Sequence, residues 1–198
     1  MLLRLRVSLP DRPGALGQVA RALGVLGADI LQVTVLERES GRAVDDFTVS
    51  WPGQTTAESV RERMSAVPGV RVEGVWPTRE VPGSAPDYDL LLHVAADPAR
   101  GFATLVDALP GLCGAEWAAA LDGDDRVHGS MGAPEQVKLP APSPPRPSAY
   151  TEGDLRLLVV PAGRFQVVVG RVEGPLFHRA EVDRAGRIVE LVGRMATP

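Results

Sequence analysis

Cysteine occurs once in this chain of 198 residues, as Cys113. A lone thiol excludes an intramolecular disulfide and any zinc site built on cysteine pairs. Asparagine is absent altogether, and Lys138 is the single lysine among 21 basic residues, an imbalance of the kind GC-rich codon usage produces. Basic residues are fewer than acidic ones, with a net charge of -4 and a pI near 5.4. The basic stripe of a nucleic-acid surface is therefore missing. No run approaches the roughly 18 apolar residues that a membrane span needs. The opening Leu2-Leu3-Arg4-Leu5 lacks the apolar core and cleavage site of a secretory signal. A cytoplasmic protein without nucleic-acid or membrane partners is expected.

Catalytic and cofactor motifs are scarce too. The glycines make neither a dinucleotide fingerprint nor a P-loop, so no cofactor is expected. His93, His128 and His178 show no metal-ligand spacing, and no metal is expected either. Around Ser130, His128-Gly129-Ser130-Met131-Gly132 is not the G-x-S-x-G elbow of a serine hydrolase. Cys113 has no base near it in sequence and reads as a small buried residue. The expectation is a protein that is not an enzyme.

What the chain does have is a 44% hydrophobic share arranged in two α+β units. The first covers residues 1–78. Leu3, Leu5 and Val7 alternate with Arg4, Arg6 and Ser8, the period of a half-buried strand. Leu16, Val19, Ala20, Leu23 and Leu26 then form one stripe of a helix. Between them lies Asp11-Arg12-Pro13-Gly14-Ala15-Leu16. Pro13 suits the first helical position, and Gly14 would let a backbone or small ligand approach closely. The unpaired N–H groups of the first turn favour an anion such as an amino-acid carboxylate. Asp11 is placed either to tie the helix start or to hold a ligand amine, and Arg12 either to pair a carboxylate or to stand in solvent.

Gly27 is a helix stop. A strand over 28–38 sets Leu31, Val33 and Val35 on one face and Gln32 and Thr34 on the other. The turn Glu39-Ser40-Gly41-Arg42 leads to a strand over 43–51 with Phe47, Val49 and Trp51 in phase, so the two form a hairpin. Thr56 caps a helix over 57–66, and a strand over 70–76 closes a βαββαβ order, the split arrangement with two helices on one face of four strands. Asp45-Asp46 is read as surface charge, with a cation site as the alternative.

Residues 79–86 form a linker around Pro82-Gly83-Ser84-Ala85-Pro86. The second unit, 87–198, is read as a strand over 88–95, a helix over 98–109 stopped by Pro110-Gly111, two strands about Asp122-Gly123-Asp124-Asp125, a strand pair over 155–161 and 165–172, and a helix over 176–195. Six prolines between 134 and 147 exclude helix and sheet interior there. That stretch reads as an exposed loop of polyproline character, or a docking site for a proline-reading partner.

The Asp11-Arg12-Pro13-Gly14-Ala15-Leu16 loop, with Leu26-Gly27 and then Ala28-Asp29-Ile30-Leu31-Gln32, resembles the ACT domain, a small βαββαβ module that senses amino acids. The resemblance covers residues 1–76 and implies a ferredoxin-like fold. It further implies a homodimer in which Asp11, Arg12, Pro13, Gly14, Ala15 and Leu16 of one copy face Asp29, Ile30, Leu31 and Gln32 of the other across a bound amino acid or similar small-molecule effector. The second unit is more weakly similar to the end of a GAF domain or to a degenerate second ACT copy. The function implied is non-catalytic regulation, with a client enzyme or the second unit reading the ligand. The alternatives are an assembly protein with a vestigial ligand site and an enzyme with its site in 87–198.

Overall fold

The computed structural model describes residues 1–78, 83–139 and 143–196. The fold is mixed α+β, with two antiparallel sheets and five α-helices among those residues. The chain divides into two compact units, Met1–Pro82 with Glu173–Pro175, and Gly83–Val172 with Leu176–Pro198. Half of the proposed linker, residues 79–82, lies outside the described residues.

The first unit runs β1 (Leu2–Pro10), α1 (Ala15–Val25), β2 (Asp29–Glu39), β3 (Arg42–Ser50), α2 (Ala57–Ser65) and β4 (Arg71–Pro77). Its sheet order is β2-β3-β1-β4, the split-βαβ arrangement. Alternation on β1 and β3 places Leu3, Leu5, Val7, Phe47 and Val49 under the helices, where they meet Val19, Leu23, Val60 and Met64. Each such side chain contributes roughly 1.5–3 kcal/mol by leaving water. Thr56 caps α2 by accepting the Ser59 N–H at 3.2 Å. Gly27 leaves α1 at φ 77°, and Ser40 and Gly41 turn the β2–β3 hairpin at φ 53° and 75°.

The second unit runs α3 (Pro86–Ala96), a 3-10 turn over Pro98–Arg100, α4 (Gly101–Cys113), β5 (Trp117–Asp122), β6 (Asp125–Gly129), β7 (Ser148–Glu152), β8 (Leu155–Ala162), β9 (Phe165–Arg171) and α5 (Arg179–Met195). Sheet order is β6-β5-β9-β8-β7, so this unit does not repeat the βαββαβ order of the first. Its helices cover one sheet face through Leu105, Leu109, Leu158, Val167, Val169 and Val189. On the other face, Trp117, Leu121, Leu157 and Val168 pack against Ala133, Val137 and Leu139. The indole of Trp117 lies so close over Gly170 that a Cβ there would sit 2.1 Å from it.

Several expectations for this unit are corrected. Residues 88–95 are helical, because Pro86 opens α3 and Asp87 and Asp89 occupy its first turn, where they suit the helix dipole. Pro110 does not stop α4; it sits within the helix, which ends at Gly114 with φ 56°. The strand β7 went unread. The stretch 134–147 has neither helix nor strand among its described residues, as its prolines require. It is not simply an exposed loop, since Val137 and Leu139 lie on the sheet; Pro140 and Pro142 are outside the described residues.

Candidate functional site

The loop between β1 and α1 is held by its backbone. Asp11 N–H donates to the Gly41 carbonyl at 2.9 Å and Arg12 N–H to the Pro10 carbonyl at 2.9 Å. Pro13 is not the first helical residue. The helix begins one residue after Gly14, which occupies the cap position at φ 85°. Within the chain nothing presses on Gly14, since a Cβ on it would meet no atom within 4 Å. Its requirement is the left-handed backbone, which costs other L-residues about 1–2 kcal/mol. No side chain caps α1 among the described residues. Asp11 neither caps the helix nor stands free: it accepts Nε and Nη2 of Arg38 at 2.8–3.2 Å, tying the loop to the end of β2. Arg12 and Pro13 are exposed, Ala15 is in the core and Leu16 is partly exposed. Gly14 also borders a groove of about 850 Å³ between α1 and α2, flanked by Arg21 and Arg63.

The second predicted segment lies at a sheet edge. Among the described residues β2 has one ladder partner, β3. Asp29 is exposed, and Ile30 packs on the core. Gln32 donates from Nε2 to Thr34 Oγ1 at 3.3 Å. Irregularities in register between Ile30 and Gln32, and between Val35 and Glu37, bend the strand. They set Val33 opposite Phe47 and Val35 opposite Asp45. Leu31, Val33 and Val35 are left 40%, 37% and 55% exposed, an apolar stripe along an open edge.

Asp45 and Asp46 are not surface charge; both are buried. They have opposite fates because neighbours in a strand point to opposite faces. Asp46 takes Arg6 in a two-pronged ion pair, Nε to Oδ1 and Nη2 to Oδ2 both at 2.8 Å, with Arg4 Nε 3.2 Å away. Asp45 lies in register with Val7 on one side and Val35 on the other. It is 3% exposed, and its Oδ1 has no hydrogen-bond partner among the described residues. An unmet buried acceptor costs roughly 1–3 kcal/mol. Burial raises the Asp45 pKa; the charges of Asp46 and Asp11 add to the rise and Arg38 opposes it.

The sequence reading did not anticipate the burial of Asp45 or the tie from Arg38 to Asp11. One signal for Asp45 was present: counting back from Phe47 and Val49 in steps of two puts it on the core face.

In the second unit the groups with catalytic chemistry are mostly engaged in structural roles. Burial pushes the Cys113 thiol up to about 12. Ser130 is buried and its Oγ accepts the Ala118 N–H at 2.8 Å. His178 caps α5, accepting the Ala180 N–H at 3.2 Å, while the Glu181 carboxylate accepts the His178 N–H at 2.7 Å. His128 Nε2 lies 3.1 Å from Asp107 Oδ1, with both side chains partly in solvent. Among the described residues no group of three His, Cys, Asp or Glu could hold a metal ion, and no helix is long and apolar enough to cross a membrane.

No family model and no curated protein matches the chain. Among solved structures, it is similar to a formyltetrahydrofolate deformylase from Pseudomonas putida KT2440, with 18% identity over 48% of this chain and a TM-score of 0.32. The match spans 38% of the deformylase. An unknown protein from Galdieria sulphuraria matches over 98% of this chain and 91% of its own, at 13% identity and a TM-score of 0.34.

Proposed function

We propose that the first unit is a non-catalytic regulatory module of the ACT kind, acting in the cytoplasm, which binds an amino acid or related small metabolite where two copies of the chain meet along β2. One observation carries this reading: Leu31, Val33 and Val35 are exposed on a strand whose outer edge has no ladder partner among the described residues. An open edge with an apolar stripe is a template for another strand, and soluble proteins usually blunt such edges. The loop tied to β2 through Asp11 and Arg38 supports it, since a ligand that shifts either element moves both. A client enzyme or the second unit reads that shift, and coupling of this kind is typically worth about 1–3 kcal/mol. The raised pKa of the buried Cys113 thiol, the Ser130 hydroxyl committed to the Ala118 N–H and the His178 ring committed to the start of α5 support a role without chemistry of its own.

The ion pair between Asp11 and Arg38 also favours a second reading, in which the unit only assembles subunits and the loop is filled by its own side chains. Two measurements separate them. Sedimentation equilibrium is expected to show a dimer that Leu31→Lys with Val33→Lys converts to a monomer; a wild-type monomer at 100 µM (on the order of working concentration for weak self-association) overturns both readings. Calorimetry against the twenty amino acids is expected to find one or more that bind; silence at millimolar concentration leaves the assembly reading alone.

A further inference from the structure

Of the three aspartates on β3 and the β1–α1 loop, two are already matched. Asp46 holds Arg6, and Asp11 holds Arg38. Asp45 has an enclosed oxygen with no donor, although it is almost wholly buried. Its ladder neighbour Val35 is more than half exposed, and Val33 beside it is exposed by more than a third. An orphan anion thus adjoins an open apolar strip. Such a placement lowers the stability of the empty protein without giving the fold anything in return.

We infer that the Asp45 carboxylate receives a primary ammonium group on the ligand, whose aliphatic part lies along Val33 and Val35. This rests on the reading of the first unit as a ligand-binding module. The chemistry of the place selects the ammonium. A metal ion needs several oxygen or nitrogen ligands, and no such group exists among the described residues. A guanidinium is a planar fork that pairs with both oxygens of an open carboxylate, as Arg6 does with Asp46. A compact ammonium on a flexible stem needs only one oxygen. Arg38 commits Nε and Nη2 to Asp11, so its Nη1 is left to meet a carboxylate on the same ligand. A branched aliphatic α-amino acid carries all three features.

The test uses the full chain and three probes of one carbon skeleton: L-leucine, isoamylamine and 4-methylpentanoate. Calorimetry is expected to show binding of the two ammonium compounds and none of 4-methylpentanoate. Asp45→Asn and Asp45→Val are each expected to weaken L-leucine by about 10- to 100-fold, the loss of one charge-assisted bond. Both variants are also expected to melt about 2–4 °C higher than wild type, because an unmet charge has gone. If 4-methylpentanoate binds as tightly as L-leucine, or the variants bind L-leucine as wild type does, the ammonium assignment falls and the module reading stands. A lower melting temperature in both variants marks Asp45 as structural and overturns the assignment. If none of the probes binds wild type, the assignment and the ligand-binding reading fall together.

Discussion

One helix start and one buried charge in each unit make a contrast. In the second unit α5 opens on a reciprocal cap between His178 and Glu181. Its fully buried Arg171 is met on several sides, by the carbonyls of Cys113 and Gly114, by Glu181 at 2.7 Å and by the face of Phe177 at 3.9 Å. In the first unit α1 opens on a bare glycine, and the buried Asp45 keeps an oxygen without a donor. The second unit has orphans of its own in Tyr150 Oη and Gln166 Oε1, but these are neutral groups. A buried charge is much costlier to leave unmatched than a neutral dipole. Where a fold closes its polar accounts it is built for rigidity; where it leaves a charge open beside exposed valines, an external group is the natural counterpart.

The largest test of that contrast is Arg171→Met. It removes the cation from Glu181 and the donor from two carbonyls, and urea denaturation followed at Trp117 is expected to show a loss of about 3–5 kcal/mol. A loss under about 1 kcal/mol would remove the contrast, since that is the range of exposed pairs. Next comes Gly14→Ala, expected to cost about 1–2 kcal/mol through its positive φ alone. Its readout is the unfolding transition of the first unit, reported by Trp51 and Trp76. A cost equal to that of Gly17→Ala, in the helix beyond, would mean that the loop relaxes around the change. His178→Ala is expected to lose about 1 kcal/mol, the usual worth of a cap, seen as a lower urea midpoint for the second unit.

The smallest effect is a slope with pH. Asp45 has a pKa raised above its ordinary 3.8, so the folded state binds its proton more tightly than the unfolded chain does. The stability it contributes is greatest below pH 3.8 and falls as pH rises toward the elevated value. Asp46 and Asp11 extend that fall to higher pH and Arg38 shortens it. Urea midpoints measured from pH 4 upward are expected to show the slope in wild type and not in Asp45→Asn. Parallel curves would place the charge in solvent.

The first unit was legible because its signals agree. Strand alternation, the Thr56 cap, the Gly27 stop and the Ser40-Gly41 turn all specify the same βαββαβ order. The second was less so. Residues 88–95 are a short apolar run without clear periodicity, and the telling signs were Pro86 and the two aspartates after it. Pro110 defeated a local rule, since α4 runs on past it and puts Leu112 in the core together with Leu109. In the candidate site the loop was visible and its occupancy was not. The ion pair between Asp11 and Arg38 joins residues 27 apart in sequence. The exposure of Val33 and Val35 depends on register shifts in β2 that no alternation pattern contains.

The contact between Trp117 and Gly170 has a consequence for how this chain can vary. A methyl group at 170 would fall inside the indole ring system, so no single substitution there is neutral. Change at the two positions must be joint: a smaller residue at 117 opens the room that a larger one at 170 requires. In a library of random variants, survivors at these sites should be found as pairs, each member harmful without the other.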